Sequence, residues 1–127
     1  MIPKDRRFWW FPAAWAALIF ALSSIPGKAM PSVAVEMNDK VLHGGVYAVL
    51  GGLVFLAVRR SWPFARGLAV ALAAAGAALY GLSDELHQVF VPGRSADLYD
   101  ALADALGGLA GASVGAMLPF AEHGAAG

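Results

Sequence analysis

Five of the nine carboxylates in this chain fall within S-D-E-L-H-Q-V-F-V-P-G-R-S-A-D-L-Y-D-A-L-A-D, positions 83–104, together with His87, Gln88, Arg94 and a Pro-Gly turn. Oxygen donors joined by one or two imidazoles suit a divalent cation such as Mg²⁺, Mn²⁺ or Zn²⁺, which makes Asp84, Asp100, Asp104 and His43 the candidate metal ligands. Asp84, His87, Asp100 and His43 are the candidates for general acid–base work. No H-E-x-x-H spacing occurs, and a buried network of protonated aspartates bonded to helix ends is the alternative to a metal. Arg94, beside Pro92 and Gly93, has the planar fork that grips a phosphate with two hydrogen bonds. Gln88, Glu85, Lys40 and Ser95 would accompany it in binding a substrate, with Glu85 lying off the main inward arc. The plainer role for Arg94 is a salt bridge to Asp97 or Asp100, and for Asp97 a favourable charge in the first turn of a helix.

These side chains must be positioned inside a chain of 127 residues that is 59% apolar and 14% charged, a membrane composition. Four windows lack Lys, Arg, Asp and Glu: 8–27, 41–58, 67–83 and 105–121, of 20, 18, 17 and 17 residues. Each approaches the length of a spanning helix. At about 1.5 Å per residue the last two fall short of a hydrocarbon core of about 30 Å. The third and fourth helices must therefore extend into the acidic stretch and carry Asp84 and Asp104 to the membrane boundary or below it, where ionisable groups are costly and point to function.

The expected fold is all-α, an integral membrane four-helix bundle forming one domain over 1–127, with helices near 8–24, 41–58, 64–88 and 96–119. The first apolar run reads as a helix and not a signal peptide, because it is long, begins with an aromatic belt of Phe8, Trp9 and Trp10, and lacks an A-x-A site. Asn38 or Asp39 is a suitable N-cap for the second helix, Ser95 for the fourth, and a short interfacial helix is expected near 33–37. Asp39, His43, Tyr47, Leu50 and Val54 share one face of the second helix; Ala73, Gly76, Ala77, Tyr80, Asp84 and His87 share one face of the third. On the fourth, Asp97, Asp100 and Asp104 lie in line with Gly108, Gly111 and Gly115, a small-residue packing stripe, so the aspartates face the bundle.

With the amino terminus cytoplasmic, six basic and two acidic residues lie inside, and three basic and seven acidic residues outside, so the faces carry about plus four and minus four. Both termini are then cytoplasmic and the polar motif is extracytoplasmic, where His43, Asp39, Asp84, Glu85, His87, Arg94, Asp100 and Asp104 share one neighbourhood. No cysteine is present to indicate a redox compartment.

Two blocks carry a family resemblance: D-K-x-x-H-x-x-x-Y-x-x-L-G at 39–51, and D-E-x-H-Q-x-F-x-P-G-R-S-x-D-x-x-D at 84–100, followed by the glycine-rich helix. The chain resembles the VanZ-like family of small membrane proteins, named for a component linked to teicoplanin resistance. The resemblance implies a multi-helix membrane protein whose extracytoplasmic motif acts on, or shields, an envelope component. Asp104 departs from it, since the family commonly has asparagine there.

Three functions follow as expectations. In the first, the outward-facing site binds or processes a lipid-linked or phosphate-bearing envelope component, such as a polyprenyl phosphate or a peptidoglycan precursor. The acid excess would repel a bare phosphate, so this reading calls for a divalent cation or protonated carboxylates, with phosphoester hydrolysis or transfer as the reaction class. The second is a non-catalytic shielding or partner protein. The third is a proton-coupled carrier, for which four short helices leave little room unless the chain oligomerises. No nucleic-acid partner is expected.

Overall fold

In the computed structural model, residues 5–26, 39–94 and 96–118 are described, apart from the side chains of Asp39 and Lys40. A 3₁₀ turn at Arg6–Trp9 leads into α1, Trp10–Ser23; α2 spans Asp39–Ser61, α3 Arg66–Gln88 and α4 Leu98–Ala116. Among the described residues the fold is all-helical. By length and apolarity α2 and α3 can cross a membrane. The other two are shorter, α1 at 14 residues and α4 at 19 with Asp100 and Asp104 inside it.

Local chemistry explains the breaks. Pro12 sits in the first turn of α1, where its missing amide hydrogen would have had no intrahelical partner. Between α2 and α3 the chain turns through Trp62 and Pro63, and the buried Arg59 donates from Nη1 to the Phe64 carbonyl at 2.6 Å. After α3, Gly93 takes φ of 76°, a left-handed conformation that a side chain would strain. The N-cap of α4 is Asp97, not Ser95: its carboxylate accepts from the Tyr99 amide at 2.8 Å, and the helix starts at Leu98. The expected interfacial helix at 33–37, Asn38 and the side chain of Asp39 lie outside the described residues.

The bundle is built on α2 and α4, which pack most closely; α3 closes against both, and α1 lies on α2 and α3. Glycine makes the close approach possible. A Cβ on Gly107 would collide with the Gly44 carbonyl, one on Gly111 with the Ala48 carbonyl, and one on Gly51 with Gly108. Two hydrogen bonds dock α1: Trp15 Nε1 donates to the Val46 carbonyl at 2.9 Å, and Tyr80 Oη to the Ala16 carbonyl at 2.6 Å.

The interior changes character along the bundle. At the end holding the α2–α3 turn, Phe55, Val58, Ala69, Ala73 and Ala112 form an apolar core. There Trp9 donates to Ser61 Oγ at 2.7 Å, and the Arg60 guanidinium lies 4.5 Å from the Phe8 ring centre. Ile19, Tyr47, Leu50 and Ala77 form a second apolar layer. Beyond them the buried polar and charged residues include His43, Asp84, Glu85, Gln88, Asp100 and Asp104.

The inward face of α3 differs from the expected one. It buries Ala69, Ala73, Ala77, Gly81, Asp84, Glu85 and Gln88, while Gly76 is exposed and His87 half-exposed. The arc is turned toward Gly81 and Glu85 because α4, not α1, is the closer neighbour of α3.

Candidate functional site

Four side chains from three helices meet in the polar layer. His43 projects from α2, and its Nδ1 lies 2.7 Å from Asp104 Oδ1 of α4. Its Nε2 is 3.9 Å from Asp100 Oδ2, one turn earlier on α4, and its Nδ1 is 3.9 Å from Glu85 Oε1 of α3. Asp104 is 0% exposed, a depth reached because Gly81 faces it: a Cβ at 81 would stand 2.7 Å from the Asp104 Cβ. Glu85 is held from its other oxygen, Oε2, which accepts from the Asp97 amide at 2.9 Å. The residue that starts α4 thus also orients the carboxylate that α3 contributes.

Asp84 is buried one turn from Gln88 and accepts a long bond, 3.4 Å, from Tyr47 Oη. The Tyr47 and His43 rings run nearly parallel, 6° between planes. Tyr47, whose ring packs in the second apolar layer, thus carries its hydroxyl into the polar layer, and its place four residues after His43 was the signal for it.

The remaining candidates lie elsewhere. His87 turns to α1, with Nε2 3.1 Å from Ser24 Oγ and its ring stacked on Phe20 at 4.6 Å, so the structure does not bring it to His43. Arg94 Nη1 donates to the Ile25 carbonyl at 3.1 Å and more distantly to Leu22 at 3.4 Å, where α1 ends. Ser95 and the side chain of Lys40 lie outside the described residues. Glu85, expected off the inward arc, is buried in the centre of the group.

A family model described as VanZ/LLP1 matches residues 8–119, most of the chain. The chain belongs to the VanZ/LLP1 family. No curated protein and no solved structure matches it. The VanZ/LLP1 match takes in all four helices and every residue of the polar layer.

In this VanZ-family chain, carboxylates and an imidazole at these distances support two kinds of chemistry: holding a cation or holding and moving a proton. His43, Glu85 and Asp104 each offer one ligand atom, all within 4.8 Å of one another. Of the ligands expected from residue types, His43 and Asp104 are in that group; Asp100 approaches the other ring nitrogen, and Asp84 is turned to Tyr47.

Proposed function

We propose that this chain is an integral membrane protein of the bacterial envelope that binds a phosphate-bearing, lipid-linked envelope component at the polar layer. All four helices cross the membrane, both termini are cytoplasmic and the polar layer faces outward. The observation that carries the reading is the buried group His43, Glu85, Asp100 and Asp104, gathered at the end of the bundle opposite Arg59, Arg60 and the α2–α3 turn. Ionisable groups at membrane depth are expensive and are retained for function, and arginines near spanning helices favour the cytoplasmic side.

Membrane burial of all four helices is supported by their outward faces. Phe20 on α1, Val41 on α2, Leu79 and Leu86 on α3, and Leu102, Leu106 and Val114 on α4 are each at least 54% exposed. So much apolar surface is a liability in water and ordinary in lipid. The substrate class follows from charge and place. A carboxylate-rich group at a membrane surface does not attract a bare phosphate, whereas a cation held by it bridges carboxylate and phosphate. Association of VanZ-like proteins with teicoplanin resistance fits a substrate among envelope precursors.

Binding of a polyprenyl phosphate to the protein in nanodiscs, with Mn²⁺ supplied, tests this. Saturable binding that exceeds that of the parent polyprenol and falls at least about tenfold in His43→Ala is expected, a loss of about 1.4 kcal/mol. Equal binding of phosphate and alcohol would exclude phosphate recognition. Well-folded Asp84→Asn and Asp100→Asn chains that retain full drug tolerance would point instead to passive shielding.

A further inference from the structure

We infer that His43 Nδ1, Asp104 Oδ1 and Glu85 Oε1 form the coordination site of one divalent transition cation, and that Glu85 is the residue that completes it. The geometry of the three ligand atoms is the first support. Two atoms each about 2.1 Å from one ion are at most about 4.2 Å apart; the Nδ1–Oε1 separation of 3.9 Å meets that limit, and the 2.7 Å Nδ1–Oδ1 contact is a hydrogen bond whose proton the ion would replace. The widest pair of the three is no more than 4.8 Å apart, which a carboxylate rotation of roughly half an ångström closes.

Glu85 provides the second, independent support. The residue is 5% exposed, its Oε2 is occupied by the Asp97 amide, and its Oε1 is buried with no hydrogen-bond partner. As a carboxylate, Oε1 lacks the donor it needs. A cation between Glu85 and His43 satisfies the oxygen directly. The Asp97 amide bond gives Glu85 the outer-shell anchoring typical of metal ligands, and Tyr47 stacks along the imidazole plane. One imidazole with two carboxylates favours Mn²⁺ or Zn²⁺ over Ca²⁺, which prefers six or more oxygens. Asp100 Oδ2, 3.9 Å from His43 Nε2, lies on the far side of the ring and stays outside the coordination shell.

The inference deepens the phosphate-binding reading and rests on it only for the purpose of the ion. Its test uses the metal alone, with no phosphate lipid present. Mn²⁺ is titrated into the purified protein carrying His87→Gln and His123→Gln, which leaves His43 as the remaining histidine of three. The expected result is one saturable ion per chain, an electron-spin-echo signal from a coordinated imidazole nitrogen, and affinity lowered at least about tenfold by Glu85→Gln. Should Glu85→Gln fail to fold, the nitrogen signal of the parent chain decides alone. No saturable Mn²⁺ binding, no nitrogen coupling, or undiminished affinity in a folded Glu85→Gln chain overturns the site. Mn²⁺ binding without lipid binding removes only the phosphate reading; lipid binding without Mn²⁺ removes only this one.

Discussion

Asp104 is the most deeply placed acid among the described residues, and its environment explains both why it is tolerated and what a substitution would do. Its Oδ1 meets His43 Nδ1, and its Cβ fills the space left by Gly81. Asp104→Asn preserves volume and an acceptor for the imidazole, so thermal stability without added metal should stay within about 1 kcal/mol of wild type. The rise in melting temperature on adding Mn²⁺ or Zn²⁺ should shrink, because a neutral amide is a poorer ligand than a carboxylate. Equal cation-induced shifts in the two chains would remove Asp104 from the coordination shell. Asp97 allows a second residue-scale test. Removing its N-cap carboxylate in Asp97→Ala should cost about 1 kcal/mol, and Asp97→Asn much less, since the amide oxygen still accepts from the Tyr99 amide. Comparing the two variants by denaturant unfolding in detergent checks the ranking.

At the scale of elements, the α2–α4 contact sets the spacing on which the site depends. Gly107 and Gly111 on α4 face the carbonyls of Gly44 and Ala48, so even one methyl group must move a backbone. Gly107→Ala should therefore destabilise the bundle by about 1–3 kcal/mol, the usual cost of overpacking. Because Gly44 adjoins His43, it should also weaken metal binding; a stability loss with unchanged Mn²⁺ affinity would show that the site tolerates helix displacement. In contrast, α1 is held to the bundle through Trp15 and Tyr80. Tyr80→Phe deletes its bond to Ala16 while keeping the ring, and should cost about 1 kcal/mol with little change at His43. Cross-linking or proteolysis of α1 would report the loosened contact.

Across the whole molecule, charge separates along the bundle axis. Arg59, Arg60 and the start of α3 at Arg66 stand at one end, and Glu85, Asp97 and Asp100 at the other. The proposed topology can be tested cleanly because the chain has no cysteine. Phe90→Cys, at a position 80% exposed in the turn after α3, should react with an impermeant thiol reagent applied to intact cells. Arg66→Cys should react after the membrane is opened. The reverse pattern would place the polar layer on the cytoplasmic face.

Much of this arrangement was legible in the residue order, for physical reasons that can be named. Helices were readable because long charge-free windows and Pro or Gly breaks determine where backbone hydrogen bonds can run uninterrupted, and the breaks at Pro63 and Gly93 bear this out. The inward placement of Asp100 and Asp104 followed from their helical register with Gly108. Residue types drew attention to His43 and Asp104, and the D-E-x-H-Q and P-G-R-S blocks identified the family. What one-dimensional spacing could not decide was the rotation of α3, because that depends on which neighbour packs more closely. Packing against α4 turned Glu85 inward and left His87 beside Phe20 and Ser24. The start of α4 was likewise a local competition between Ser95 and Asp97, and Asp97 caps the helix while its amide also binds Glu85 across the turn. Residue types marked the groups able to do chemistry, but which of them meet depended on helix rotation, which is set by contacts between elements distant along the chain.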